Sequence, residues 1–184
     1  SNIFCSAVQI DTDKLITARH CVEATTDKLV VTEYAGSKTI YPVSVVVQSA
    51  TRDLAVLIVP NLPRNAVALA NELPAVDSAI VTVGYPLGIV EVVTEGRVTG
   101  LADIQIGETE EGAPVTRQFF MTTGAVAGGN SGGGTFIKEN GKWVLVGTLV
   151  AVLSENSMYG SDRVRHLALN ETLSAMKTLL ALIK

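Results

Sequence analysis

The sequence predicts an all-β protein of two packed, six-stranded-type antiparallel β-barrels with one C-terminal α-helix. Three observations carry this. Short Val-rich apolar segments recur between turns marked by Gly, Pro, Asp and Asn. They fall into two groups, divided by a stretch that carries Pro63 and Pro74. Helical periodicity occurs only at the C-terminal end. The chain has 184 residues, 47% hydrophobic and 17% charged, with 16 glycines, enough to bury one substantial core.

In order, residues 4–10 and 15–18 read as strands joined by the turn Asp11-Thr12-Asp13-Lys14. Residues 27–34 and 39–48 read as strands around Ala35-Gly36-Ser37, and 54–59 as an apolar strand ended by Pro60. Residues 61–77 form the connector, so that 1–60 would be the first barrel, 78–169 the second and 170–184 the helix of a single 1–184 domain. In the second half, 79–84 and 90–100 read as strands and 107–114 as an acidic loop. Residues 117–122 form another strand and 124–134 a Gly-rich loop. Residues 135–137 and 143–153 form a hairpin about Glu139-Asn140-Gly141. Residues 154–161 read as loop. Asn170 is the expected cap of a helix over 171–183. Its stripe of Leu173, Met176, Leu180 and Ile183 is expected to dock on the protein's own body.

Net charge is −4 and Lys and Arg are scattered, which disfavours a nucleic-acid partner or docking to an anionic membrane. The apolar run over 144–153 is too short to span a bilayer, which takes about 20 residues. No basic-apolar-small leader is legible at the start. Cys5 and Cys21 read equally well as buried free thiols or as a disulfide. A metal site from Cys5, His20, Cys21 and His166 lacks the paired spacing of zinc motifs, so no metal and no cofactor are expected. His166 alone reads as structural.

Three segments carry chemistry when taken together: Thr17-Ala18-Arg19-His20-Cys21, Asp53-Leu54-Ala55-Val56-Leu57 and Gly129-Asn130-Ser131-Gly132-Gly133. A serine hydroxyl is a weak nucleophile near neutral pH and needs a base beside it. Histidine titrates near neutrality, and a carboxylate on its second ring nitrogen holds one tautomer. His20 is expected to end an apolar strand facing a cleft, and Asp53 precedes a strand that can reach the same cleft. Ser131 lies among glycines whose loop can converge N–H groups on an oxyanion, with Gly129 and Ser131 as donors.

These segments resemble the trypsin/chymotrypsin clan of serine proteases, and most of all the HtrA-like (trypsin-2 type) peptidases without a PDZ module. Val83-Gly84-Tyr85-Pro86-Leu87-Gly88, Val93-Thr94-Glu95-Gly96-Arg97-Val98 and Met121-Thr122-Thr123-Gly124-Ala125 are similar to the family's second barrel and its approach to the serine loop. The resemblance covers roughly residues 4 to 170. It implies a chymotrypsin-like fold, peptide or protein substrates, and a serine endopeptidase with His20, Asp53 and Ser131 as triad. The alternative on the same fold is a catalytically silent binding module.

The resemblance further implies a Cys5–Cys21 disulfide, which HtrA-like enzymes usually lack. A disulfide would favour a secreted or periplasmic setting. A virus- or phage-encoded origin is also compatible. It places Ala125 and Val126 near the floor of the primary pocket, and Val150 and Val152 at its wall, with no acidic residue. Small to medium aliphatic residues before the cleaved bond are therefore expected. The family's usual strand before residue 4 has no counterpart, which leaves the first barrel open or completed from elsewhere. Asn130 stands where activated trypsins carry the aspartate that pairs with a new N-terminus, so that route of activation is not expected.

Overall fold

The computed structural model describes residues 5–23, 29–33, 38–86, 90–124, 130–154 and 166–183. It is all-β apart from one short and one C-terminal helix. Strands β1 (Val8–Asp11) and β2 (Lys14–Thr17) form the first hairpin, turning at Thr12 and Asp13. Strand β6 (Ala55–Ile58) pairs with β2 on one side and β5 (Val45–Gln48) on the other. The result is a four-stranded sheet in the order β1-β2-β6-β5. Strands β3 (Val30–Val31) and β4 (Tyr41–Pro42) make a separate two-stranded ribbon. The single strand expected over 39–48 is therefore two, parted by Val43 and Ser44. Among the described residues the first half is an open sheet.

The second half is a closed barrel in the order β10-β11-β12-β9-β8-β7. Its members are β7 (Ala79–Gly84), β8 (Val92–Glu108), β9 (Pro114–Thr123), β10 (Gly134–Glu139), β11 (Lys142–Ser154) and β12 (His166–Glu171). Strand β7 has the bounds the sequence predicts. Strand β8 does not stop at Gly100. That glycine has φ +125° and sits at a register shift against β9, so it bends the strand as a bulge and lets it continue. The expected acidic loop over 107–114 shrinks to a turn with Gly112 at φ +83°.

Strand β12 escapes the sequence reading altogether. Its HLALNE composition mixes Asn and Glu into what is a largely buried strand. Asn170 is consequently not a helix cap. It is fully buried, and its amide donates to Phe120 O at 3.0 Å and Thr122 Oγ1 at 3.2 Å, while its carbonyl oxygen accepts from Thr135 Oγ1. These bonds tie β12 to β9 and β10 and satisfy an amide that would be costly to bury alone. Thr172 caps the helix α2 (Leu173–Ala181) instead, its hydroxyl accepting from Ala175 N at 3.1 Å.

One core crosses the whole molecule. Ile16, Leu54 and Val56 of the first sheet, Ile80, Phe120, Leu145 and Val146 of the barrel, and Leu173, Met176 and Leu179 of α2 belong to a single buried cluster. The helix thus docks on its own body, and Leu179 joins the expected stripe. The connector contributes Ala70 to this core and bridges Leu69 to Leu145 of β11. A second cluster at the seam joins Ala18 and Cys21 to Phe119, Met121, Val150 and Leu169. No helix among the described residues is long and apolar enough to cross a membrane.

Candidate active site

His20 does not end a strand. After β2 the chain closes into the short helix α1 (Arg19–Glu23), with Cys21 N donating to Ala18 O at 3.2 Å. The physical reason lies 33 residues away. One carboxylate oxygen of Asp53, Oδ1, accepts from the backbone N–H of His20 at 2.9 Å and so caps the first turn of α1 from outside. The other, Oδ2, lies 2.7 Å from His20 Nδ1. One side chain therefore fixes both the position and the ring orientation of the histidine.

The electrostatics follow. The hydrogen bond to Asp53 pushes His20 above the ordinary imidazole value against a smaller opposing effect of burial. For Asp53, burial pushes upward, but the bonds from the His20 ring and amide outweigh it and hold the carboxyl below its usual range. A raised imidazole facing an ionised carboxylate is the arrangement of a general base whose protonated form is stabilised.

Ser131 lies in the loop between β9 and β10. Gly133 N donates to Asn130 O at 2.8 Å, closing a turn around it. Gly132 N donates to Leu149 O at 2.7 Å and Leu149 N to Gly133 O at 2.9 Å, stitching the loop to β11. Ser6 N donates to Ser131 O at 2.8 Å, binding the loop to the start of the first sheet. Gly132 has φ +84°, and a Cβ there would meet Ser6 O at 2.0 Å and Thr17 Oγ1 at 2.2 Å, so only glycine fits. Asn130 is buried against Gly84, where a neutral amide is far cheaper than an unpaired carboxylate.

Cys5 and Cys21 are joined, with S–S 2.08 Å and Cα–Cα 6.1 Å. The bridge anchors α1 directly behind His20, and Cys21 Sγ lies 3.7 Å from Ser131 O. Helix α1 and the serine loop therefore touch. The two sulfurs and a His20 ring nitrogen lie within 4.8 Å of one another. Sulfurs bonded to each other carry no thiolate charge, so this trio is not a metal-ligand set.

Of the remaining site residues inferred from sequence, Gly129, Ala125 and Val126 lie outside the described residues. Val150 is buried in the seam cluster, at 7% exposure, with its side chain packed between the halves. Val152 lies in β11 opposite Ala168. His166 opens β12, opposite Ser154.

Two site neighbours went unread in the sequence. Arg52 Nε donates to Glu171 Oε2 at 2.6 Å, and Asp53 N donates to Glu171 Oε1 at 3.0 Å. An arginine directly before the candidate carboxylate is the only local signal, and Glu171 falls in the first turn of the helix that the sequence predicts.

Residues 5–147 match the family model of the trypsin-like peptidase domain. Comparison with curated proteins finds no matching relative. Among solved structures, the active form of the Rv3671c protease from M. tuberculosis is 26% identical with a TM-score of 0.75, over 95% of this chain and 71% of that one. Its inactive form is 25% identical, with a TM-score of 0.75 over 96% and 82%. The HtrA-type protease AlgW, in a structure with a decapeptide, is 26% identical with a TM-score of 0.70, over 98% of this chain and 51% of that one. With the all-β architecture and a match over most of its length, the chain belongs to the trypsin-like peptidase family, on the HtrA-like side of it, and is a serine endopeptidase acting on peptides or proteins.

Proposed function

We propose that His20, Asp53 and Ser131 are the catalytic triad and that the chain cleaves peptide bonds through an acyl-enzyme. The observation that carries this is the 2.7 Å contact between His20 Nδ1 and Asp53 Oδ2, in a chain that sets the His20 helix against the Ser131 loop. In this reading Ser131 Oγ attacks the carbonyl carbon and His20 Nε2 takes its proton. Asp53 stays ionised, accepts the hydrogen bond from His20 Nδ1–H and stabilises the imidazolium that forms. The N–H groups of Gly129 and Ser131 receive the oxyanion. The imidazolium then protonates the leaving amine, and water, deprotonated by His20, releases the acyl group.

In this reading the primary pocket is formed around Ala125, Val126 and Val152, with the buried Val150 backing its wall from the seam cluster. None carries a charge, which supports small to medium aliphatic residues before the cleaved bond. A fluorophosphonate that phosphonylates activated serines tests the triad. Intact-mass measurement should find one adduct on the wild type and none on Ser131→Ala. A folded wild type that takes no adduct would overturn the triad and favour a silent binding module.

A further inference from the structure

Glu171 is the last residue of β12, and its side chain is fully buried. Each of its carboxylate oxygens has its own donor, Arg52 Nε on Oε2 at 2.6 Å and Asp53 N on Oε1 at 3.0 Å. Arg52 is held in turn by the barrel, since its Nη2 donates to Gln118 O on β9 and its guanidinium lies 5.9 Å from the Phe119 ring centroid. Arg52 N also donates to Ser49 Oγ at 3.1 Å. The segment that carries Asp53 leads into β6 of the first sheet, yet the Arg52 guanidinium and the Asp53 amide are both anchored on the second barrel.

The partner strand completes the argument. Glu171 stands opposite Thr148 of β11, and the next residue, Leu149, exchanges two backbone hydrogen bonds with the Ser131 loop through Gly132 and Gly133. One strand pair therefore grips both sides of the site. Strand β12 holds the Asp53 backbone through Glu171, and β11 holds the serine loop through Leu149. A buried ion pair adds little net stability compared with apolar residues of similar volume. Its contribution here is registration, which fixes the Asp53 amide against the strand that anchors Ser131.

We propose that Glu171 is a positioning residue for the triad, acting through the Asp53 backbone, with Arg52 as the cation that keeps its carboxylate buried and oriented. This rests on the triad reading above. Removing the acceptor for the Asp53 N–H lets Asp53, and with it His20, drift relative to Ser131, which slows acylation without weakening substrate binding.

The test compares two double variants, so that neither buries an unpaired charge. Arg52→Met with Glu171→Gln keeps an acceptor for the Asp53 N–H. Arg52→Met with Glu171→Leu removes it. Both are followed by thermal unfolding, by kcat and KM on a peptide substrate, and by the low-field proton resonance of His20 Nδ1–H. A misplacement approaching 1 Å at a reacting group costs up to about 10²-fold, so kcat should be about 10-fold lower or more in the Leu variant than in the Gln variant. KM should agree within about 2-fold, and the His20 resonance should shift or broaden only in the Leu variant. Equal kcat and identical His20 resonances in the two folded variants would overturn the proposal. If the Leu variant does not fold, Arg52→Met with Glu171→Met takes its place, removing the acceptor with a flexible side chain closer to Glu in length. Equal kcat and identical His20 resonances in it and the Gln variant would overturn the proposal. A wild type that takes no fluorophosphonate adduct refutes the triad instead, and the His20 resonance still reads whether Glu171 positions Asp53.

Discussion

Asp53 acts at two points on one residue, the ring nitrogen and the amide of His20, and this makes its charge separable from its size. In Asp53→Asn the amide side chain can still cap α1 through its oxygen. With one acceptor oxygen and no charge, it cannot also accept the hydrogen bond from His20 Nδ1–H or stabilise the imidazolium. Loss of that carboxylate in comparable triads lowers kcat by about 10⁴-fold, and a similar fall is expected in steady-state cleavage. The pH dependence has a definite sign. The base must be neutral, so kcat/KM should rise with pH through a midpoint above the ordinary imidazole value of 6.5, because Asp53 raises His20. In Asp53→Asn that midpoint should move down. A midpoint that stays in place would mean that Asp53 does not set the basicity of His20. Gly132 is a second residue whose chemistry is fixed by geometry. Gly132→Ala would force a Cβ into Ser6 O and Thr17 Oγ1 at positive φ. Loss of the fluorophosphonate adduct is expected in a protein that still folds through its barrel, since the clash falls where the loop meets β2. An unchanged adduct rate would show that the serine loop moves freely against the first sheet.

Among the elements, α1 is the one most dependent on distant support. It has five residues, too few to be stable alone, and it is held by the Asp53 cap and the Cys5–Cys21 bridge. A disulfide closing a loop of this size stabilises by about 3 kcal/mol in the chain-entropy model. The Cys5→Ala/Cys21→Ala variant should lose about that much in urea unfolding, and phosphonylation of Ser131 should slow as α1 loosens. An unchanged urea midpoint would mean that the loop is already ordered without the bridge. Element by element, the sequence was most legible where local chemistry and tertiary role agree. Strand β7 alternates and ends at a turn, and its bounds were readable. It was least legible where a distant group decides. His20 follows an apolar strand and looks like its end, until Asp53 caps a helix there. Asn170 looks like a cap, until three partners on β9 and β10 bury it within a strand. Gly100 looks like a stop, and is a bulge.

For the whole molecule, the three segments that gave the family were contiguous motifs, and for that reason they were readable. The Arg52–Glu171 pair joins residues 119 apart, and nothing local announces it. The same distance relation governs the core. Ile16 and Val56 of the first sheet, Leu145 of the barrel and Met176 of α2 belong to one buried cluster, so Met176 packs into an interior that both halves and the helix share. Met176 is fully buried, and its sulfur accepts from Thr148 Oγ1 at 3.2 Å. Met176→Ala should cost about 2–5 kcal/mol through lost contacts and the cavity left behind. Because that cavity opens onto both halves, the loss should not be confined to the C-terminal end. Urea unfolding followed by the fluorescence of Trp143, on β11, and by far-ultraviolet circular dichroism should give coincident transitions in wild type and variant, displaced together to lower urea. Two separated transitions in the variant would mean that the first sheet keeps a core of its own, centred on Leu15, Ala55, Leu57 and Val59. The His20 side of the site could then loosen while the Ser131 side stays folded.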